Sequence, residues 1–256
     1  MGLLKSFYKE KMQVQIWEKR EDMGEAAAND IGKKITELQQ KQKEINIIFA
    51  AAPSQNEVLE GLAGNTDIDW TKINGFHMDE YIGLSSEAPQ NFGNFLRERL
   101  FGRVPFKAVY YINGGASDIE SECKRYSKLL EEHPIDIVCL GIGENGHIAF
   151  NDPGVAEFND KKIIKEAKLD AVCRQQQVND GCFKTISDVP TEALTLTIPT
   201  LMSGKYLFCT VPARTKAAAV YAMINGGITE SCPASILRTH NNASLYCDRD
   251  SANKVL

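Results

Sequence analysis

The chain has 256 residues, 25% of them charged, with a formal net charge of −5 at pH 7 and a pI near 5.5. An acidic balance offers no basic field to nucleic acid, and no apolar run approaches membrane-spanning length, so neither kind of partner is expected. The seven cysteines, at 123, 139, 173, 182, 209, 232 and 247, are odd in number and lack CxxC spacing, which argues for reduced thiols in a cytoplasmic protein and against a disulfide framework or a zinc site.

The N-terminal MGLLKSFYKEKM lacks the apolar core of a signal peptide. MQVQIWE, from Met12, reads as a strand, and Ala26, Ala27, Ile31, Ile35 and Leu38 predict a helix from about Arg20 to Lys43. INIIFAAA, from Ile45, is a second, buried strand, followed by a short helix, PSQNEVLEGLAG, with Ser54 placed to cap it. A third strand in INGFHMDEYIGL leads to Asp79, and a helix follows from about Gln90 to Phe101. KAVYYIN is a strand, and Asp118 to Glu132 a helix with Cys123, Tyr126, Leu129 and Leu130 on one face. IDIVCLG, Ile135 to Gly141, reads as a fully buried strand ending in glycines. A polar segment, Glu157 to Pro190, precedes strands ALTLTI and KYLFCTV, a helix from Ala213 to Ile224 and a last strand, ASLYCD. This alternation predicts a single α/β domain over residues 1–256, Rossmann-like, with a mostly parallel sheet and helices on both faces.

Ligands of open α/β sheets bind outside the carboxyl ends of the strands. Four loops qualify: residues 50–56, 77–81, 141–153 and 211–216. The third is the richest, since LGIGENGHIAFNDPG carries one imidazole, His147, among glycines, with Asn145 before it and Asp152 after it. Gly141, Gly143 and Gly146 match GxGxxG, but a dinucleotide site needs a helix to open directly afterwards, and Phe150 to Pro153 read as a turn. The glycines, Gly146 among them, instead let backbone amides approach a small anionic or hydroxylated ligand. Asp79 and Glu80 sit side by side at a strand end, so at most one faces a given pocket while the other caps or pairs. A carboxylate base and an imidazole that titrates near neutrality suit proton transfer on a sugar. Lys216 and Arg214, near a helix start, would suit a phosphate, as would the donors of Ser54, Gln55 and Asn56.

FHMDEYIGL and LGIGENGHIAFNDP, followed by ALTLTIPTL, VPARTKAAAV and SILRTH, resemble the glucosamine-6-phosphate deaminase (isomerase) family over nearly the whole chain. The wider group includes 6-phosphogluconolactonase. The resemblance implies a cofactor-independent enzyme, with no metal, that opens an amino-sugar ring, moves a proton from carbon 2 to carbon 1 and releases ammonia to leave a ketose 6-phosphate. By motif, Asp79 resembles the base for carbon 2 and His147 the ring-opening acid/base. Asp152 stands where the family has a carboxylate that orients the histidine, Asn145 where members have Asp or Asn, and Lys216 where a lysine binds phosphate. The chain departs from the pattern in three places. AAAPSQNE replaces a glycine-rich phosphate loop, Asp152 replaces the usual Glu, and the phosphate arginine has no match because Arg174 lies several residues too early. A sugar phosphate is the expected partner, of either epimer, and a homo-oligomer stays open. A lactonase is a second reading, set back by GHIAF in place of GHTAS and by Tyr81 in place of an arginine. A noncatalytic sugar-phosphate sensor is a third, and a pure binder has no need of Asp79 and His147 together.

Overall fold

The computed structural model describes residues 2–256. Eight strands form the main sheet in the order β1-β2-β11-β10-β7-β3-β4-β6. Their ranges are β1 Leu3–Lys9, β2 Met12–Trp17, β3 Ile45–Phe49, β4 Ile73–His77, β6 Ala108–Tyr110, β7 Ile137–Leu140, β10 Tyr206–Val211 and β11 Ala243–Asp248. All neighbours are parallel except β1 with β2. Every residue of β3 and β7 is buried, and all but Asn46 are apolar, as expected when both faces of a sheet are covered.

Alternate residues of these strands feed two cores. Ile47, Phe49, Ile137 and Cys139 pack under α1 (Arg20–Gln39), α2 (Asn56–Ala63) and α3 (Phe92–Leu96). Ile48, Val138 and Leu140 face the other way, toward α4 (Ile119–Glu132), α6 (Ile198–Met202) and α7 (Ala217–Asn225). The predicted layers are therefore present. α1 stops at Gln39, short of the expected Lys43, because KQKE supplies no apolar residue to continue its buried stripe.

Two expectations are corrected and one segment gains elements. The polar segment 157–190 holds β8 (Ile164–Lys168) and α5 (Ala171–Asn179), the latter capped by Asp170, whose side chain accepts from Cys173 N at 2.6 Å. ALTLTI lies outside the main sheet. As β9 (Glu192–Leu196) it pairs antiparallel with β8 and with β5 (Asp79–Tyr81) in a small second sheet. The Ser54 side chain makes no cap, since Pro53–Gln55 forms a 3-10 turn and α2 begins after it at Asn56. The exposed β1 was not foreseen, as its isolated apolar residues carry no strong period.

The sheet order contains one reversal. From β3 the chain moves outward through β4 and β6, whereas from β7 it moves the other way through β10 and β11. The neighbours β3 and β7 thus flank a topological switch point, where a crevice opens beyond the strand ends. The loops after β3, β4, β7 and β10 meet there.

Candidate active site

A single cavity at this switch point is lined from all four loops, by Ala50 to Ser54, Met78 and Asp79, Gly141 to Gly143 with His147, and Pro212, Ala213, Thr215 and Lys216. α5 adds Gln176, Gln177 and Asp180, and Phe92 and Phe150 supply an apolar wall.

The loop after β7 is built to hold one imidazole. His147 Nδ1 lies 2.8 Å from Asp152 Oδ1 and 2.8 Å from Asn145 Oδ1. Asn145 Oδ1 also accepts from His147 N at 3.0 Å, while its amide group donates to Asp152 Oδ1 at 2.9 Å. Both partners of Nδ1 are acceptors, so the proton sits on Nδ1 and Nε2 is left as the acceptor. Asp152 is fully buried. Burial alone would raise its carboxyl, but the hydrogen bond and charge of His147, with the bonds from Asn145 and the Cys173 thiol, outweigh that and hold it below the usual range.

The glycines serve this arrangement. A Cβ on Gly143 would run into the His147 ring itself, and Gly146 turns the chain at φ +85°. Gly146 does not line the cavity, so its expected role as an amide donor to ligand is replaced by a turn.

Across the cavity, Asp79 is nearly buried, and among the described residues nothing donates to its carboxylate. Burial first, and the neighbouring Glu80 charge second, raise it well above the usual carboxylate range. The two carboxylates divide as their spacing requires. Glu80 turns away and accepts from the backbone N–H groups of Tyr81, Phe92 and Gly93 at 2.9–3.0 Å, anchoring the start of α3. Burial pushes it up to about 7 despite those lowering bonds.

His77 was missed by sequence reasoning. It is fully buried, with Nδ1 donating to the Asp79 carbonyl at 2.8 Å and Nε2 accepting from Ile112 N at 2.9 Å. Tyr126 Oη donates to the His77 carbonyl at 2.9 Å. This network fixes the backbone from which Asp79 projects, and burial depresses the His77 imidazole to about 4, keeping it neutral. Its only trace in the sequence is a polar residue at the last position of a strand whose other residues are apolar or small, apart from Asn74.

Lys216 lines the cavity from the loop after β10. It is 6% exposed and makes no side-chain hydrogen bond or ion pair among the described residues. Burial lowers its ammonium, against the raising charges of Asp180 and Glu144. Of the other predicted anion donors, Ser54 lines the cavity, but Gln55 does not. Gln55 is buried, its amide bonded to Ser54 Oγ and Thr210 O and its carbonyl to Thr210 Oγ1. Arg214 is exposed and lies off the cavity. Arg174 is spent on the carbonyls of Ile186 and Val189, while Gln176 and Gln177 on the same helix face inward.

A buried carboxylate of raised pKa, a carboxylate-oriented imidazole and a buried lysine therefore line one cavity at the switch point of an α/β sheet, where proteins of this architecture bind ligands. The chain belongs to the family of glucosamine-6-phosphate isomerases and 6-phosphogluconolactonases, whose model matches residues 18–246. It is 37% identical over 191 residues to a glucosamine-6-phosphate deaminase of Streptococcus equi subsp. zooepidemicus strain MGCS10565, covering 75% of this chain and 80% of that one. It is 38% identical over 190 residues to the Streptococcus pyogenes serotype M3 protein of the same name, covering 73% and 78%. A monomeric glucosamine-6-phosphate deaminase superposes with a TM-score of 0.84 at 29% identity, over 94% of this chain and 98% of that one. The 6-phosphogluconolactonase of Thermotoga maritima shares the fold, with a TM-score of 0.75 at 19% identity over 92% and 98%.

Proposed function

We propose that this protein is a deaminating isomerase that converts an amino-sugar 6-phosphate, of the gluco or galacto configuration, to the ketose 6-phosphate and ammonia, and that residues 1–256 work as one unit. The observation that carries this reading is the convergence of Asp79, His147 and Lys216, from three different loops, on one cavity. The names of its relatives point the same way.

In this reading His147 Nε2 takes the proton of the anomeric hydroxyl and returns one to the ring oxygen, opening the sugar, while Asp152 holds the ring orientation and stabilises the imidazolium. Asp79 then removes the proton of carbon 2 and delivers it to carbon 1. Its raised basicity matches that task better than an ordinary surface carboxylate would. The resulting imine at carbon 2 is hydrolysed by water, which leaves its oxygen on the ketose and releases ammonia. Lys216 and Ser54 hold the phosphate, and Phe92, Phe150 and Met78 keep bulk water from the reacting carbons. The seven free thiols fit a reducing compartment, and no helix among the described residues is long and apolar enough to cross a membrane.

The test is ammonia release from glucosamine 6-phosphate and galactosamine 6-phosphate, assayed beside hydrolysis of a 6-phosphogluconolactone. Ammonia with ketose supports the proposal. Lactone hydrolysis without ammonia replaces it with the hydrolase reading, and binding without either reaction replaces it with a sensor.

A further inference from the structure

We propose that His147, Asp152 and Cys173 form a site for a thiophilic divalent cation of the zinc type, whose occupancy disables the His147–Asp152 pair. The His147 ring nitrogen, an Asp152 carboxylate oxygen and Cys173 Sγ all lie within 4.8 Å of one another, and all three residues are buried. Among the described residues this is the one group of three such ligands. A second observation concerns the carboxylate: Asp152 Oδ2 is buried without a nitrogen or oxygen donor, although its sister oxygen serves two, and the one further donor to the group is the weak Cys173 thiol. A buried carboxylate oxygen left to a thiol marks a place where a stronger donor or a cation belongs.

The donor set is chemically suited. Imidazole nitrogen, carboxylate oxygen and thiolate bind zinc at about 2.0–2.3 Å, so tetrahedral ligand atoms stand roughly 3.3–3.8 Å apart, and a side-chain adjustment of about 1 Å closes the set. Carboxylate and thiolate neutralise the ion. Asn145 Oδ1, 2.8 Å from Nδ1, or a water from the cavity that His147 lines, supplies the open position. No CxxC spacing announces the site, because its cysteine comes from α5 and its histidine and aspartate from the loop after β7.

Occupancy has defined consequences. The cation takes Nδ1, so the imidazole proton moves to Nε2, and the Cys173 thiol proton is released to solvent. Nε2 then has no lone pair with which to accept a proton, and Asp152 no longer orients the ring. The ion also ties α5, with Gln176, Gln177 and Asp180, to the histidine loop. The loss of function rests on the role given to His147 above, but binding does not.

The experiment uses the full chain stripped with a chelator, with zinc chloride and cobalt chloride as probes. Cobalt is expected to give the near-ultraviolet thiolate-to-metal band and tetrahedral visible bands in the native protein, and neither in Cys173→Ala. Partners of metal ligands are worth about 10–100-fold in affinity, so loss of Cys173 itself is expected to raise the zinc concentration for half-inhibition by more than about 100-fold. Metal-free turnover of Cys173→Ala and Cys173→Ser should stay near the native value. One proton released per ion makes inhibition about tenfold tighter per pH unit over the neutral range. Cys232→Ala, a neighbour of the Gly146 turn, is expected to leave zinc sensitivity unchanged. A native cobalt spectrum without a thiolate band, or equal zinc inhibition of native and Cys173→Ala proteins, overturns the proposal. The cobalt spectrum reads the site even in a protein inactive on every amino-sugar phosphate, so failure here and failure of the proposed function are separable.

Discussion

Lys216 brings binding and stability into opposition, and replacing it with methionine separates them. Lys216 is a buried residue whose ammonium has no ionic or hydrogen-bonded partner among the described residues, and burial lowers its pKa. A base whose folded pKa lies below its unfolded one binds protons more weakly in the folded state. It therefore costs stability at every pH below its unfolded value near 10.4, including neutrality, and that cost fades as pH rises through this range. Lys216→Met keeps the packed stem and removes the charge, so melting temperature at pH 7 is expected to hold or rise. Binding should move the other way. A charge-assisted hydrogen bond to phosphate contributes about 1.5–3 kcal/mol, or roughly ten- to 150-fold in affinity. No glycine-rich loop shares the load, and Arg20, the arginine that lines the cavity among the described residues, is already bonded to Glu57 and the Pro53 carbonyl, so most of the loss is expected in KM for the 6-phosphosugar, with kcat changed less. The assay pairs thermal melts with kinetics on the phosphorylated and unphosphorylated amino sugar. A KM shift equal for both sugars, or a variant that melts well below the native protein with KM unchanged, would refute the assignment of Lys216 as the phosphate cation.

Asp79→Asn is expected to keep fold and ligand affinity while lowering kcat by about 10²–10⁴-fold, the usual worth of a positioned base. In the native enzyme, the acid limb of kcat/KM should lie above the ordinary carboxylate pKa of about 3.9, because burial and then Glu80 raise Asp79; a limb at the ordinary value would separate Asp79 from proton transfer. His77, depressed by burial to about 4 from 6.5, costs the fold nothing above pH 6.5, but a penalty builds as pH falls from 6.5 toward 4, on the order of 3 kcal/mol in all. Urea denaturation of native and His77→Gln proteins between pH 7 and 4 checks it: the native protein should lose the larger increment of stability. Gly143→Ala places a methyl group where the His147 ring lies, so kcat is expected to fall about 10²-fold with a normal circular dichroism spectrum, and a fully active variant would show the ring free to move aside.

The parts of the site that were legible in the sequence share a physical signature. A buried apolar run that ends in glycines, as IDIVCLG does, announces a strand and the loop beyond it, so the sequence alone places His147, Asn145 and Asp152 together. The adjacent pair Asp79 and Glu80 could be divided by the alternation of an extended chain, and Glu80 does turn to anchor α3. What stayed hidden depends on direction and burial rather than type. Gln55 and Ser54 are neighbours of similar polarity, yet only Ser54 faces the cavity, because Gln55 finds Thr210 in β10, a partner 155 residues away. α5 escaped because AVCRQQQVN carries too few apolar residues for a clear helical stripe; its cap at Asp170 was the available signal. The same composition hid Gln176 and Gln177, which occupy the side of the cavity where an arginine was sought. His77 reads as one more strand residue until its two ring nitrogens are seen to bond to the chain on either side of it.

The measurement that bears most directly on the function is nuclear magnetic resonance of glucosamine 6-phosphate turnover in deuterium oxide, with ammonia quantified in parallel. Native protein is expected to yield ketose 6-phosphate and ammonia in equal amounts, with deuterium entering carbon 1 to the extent that Asp79 exchanges with solvent, and both products should vanish together in Asp79→Asn. Ketose without ammonia, ammonia formation that survives Asp79→Asn, or no reaction with either epimer while a 6-phosphogluconolactone is hydrolysed would contradict the proposed chemistry.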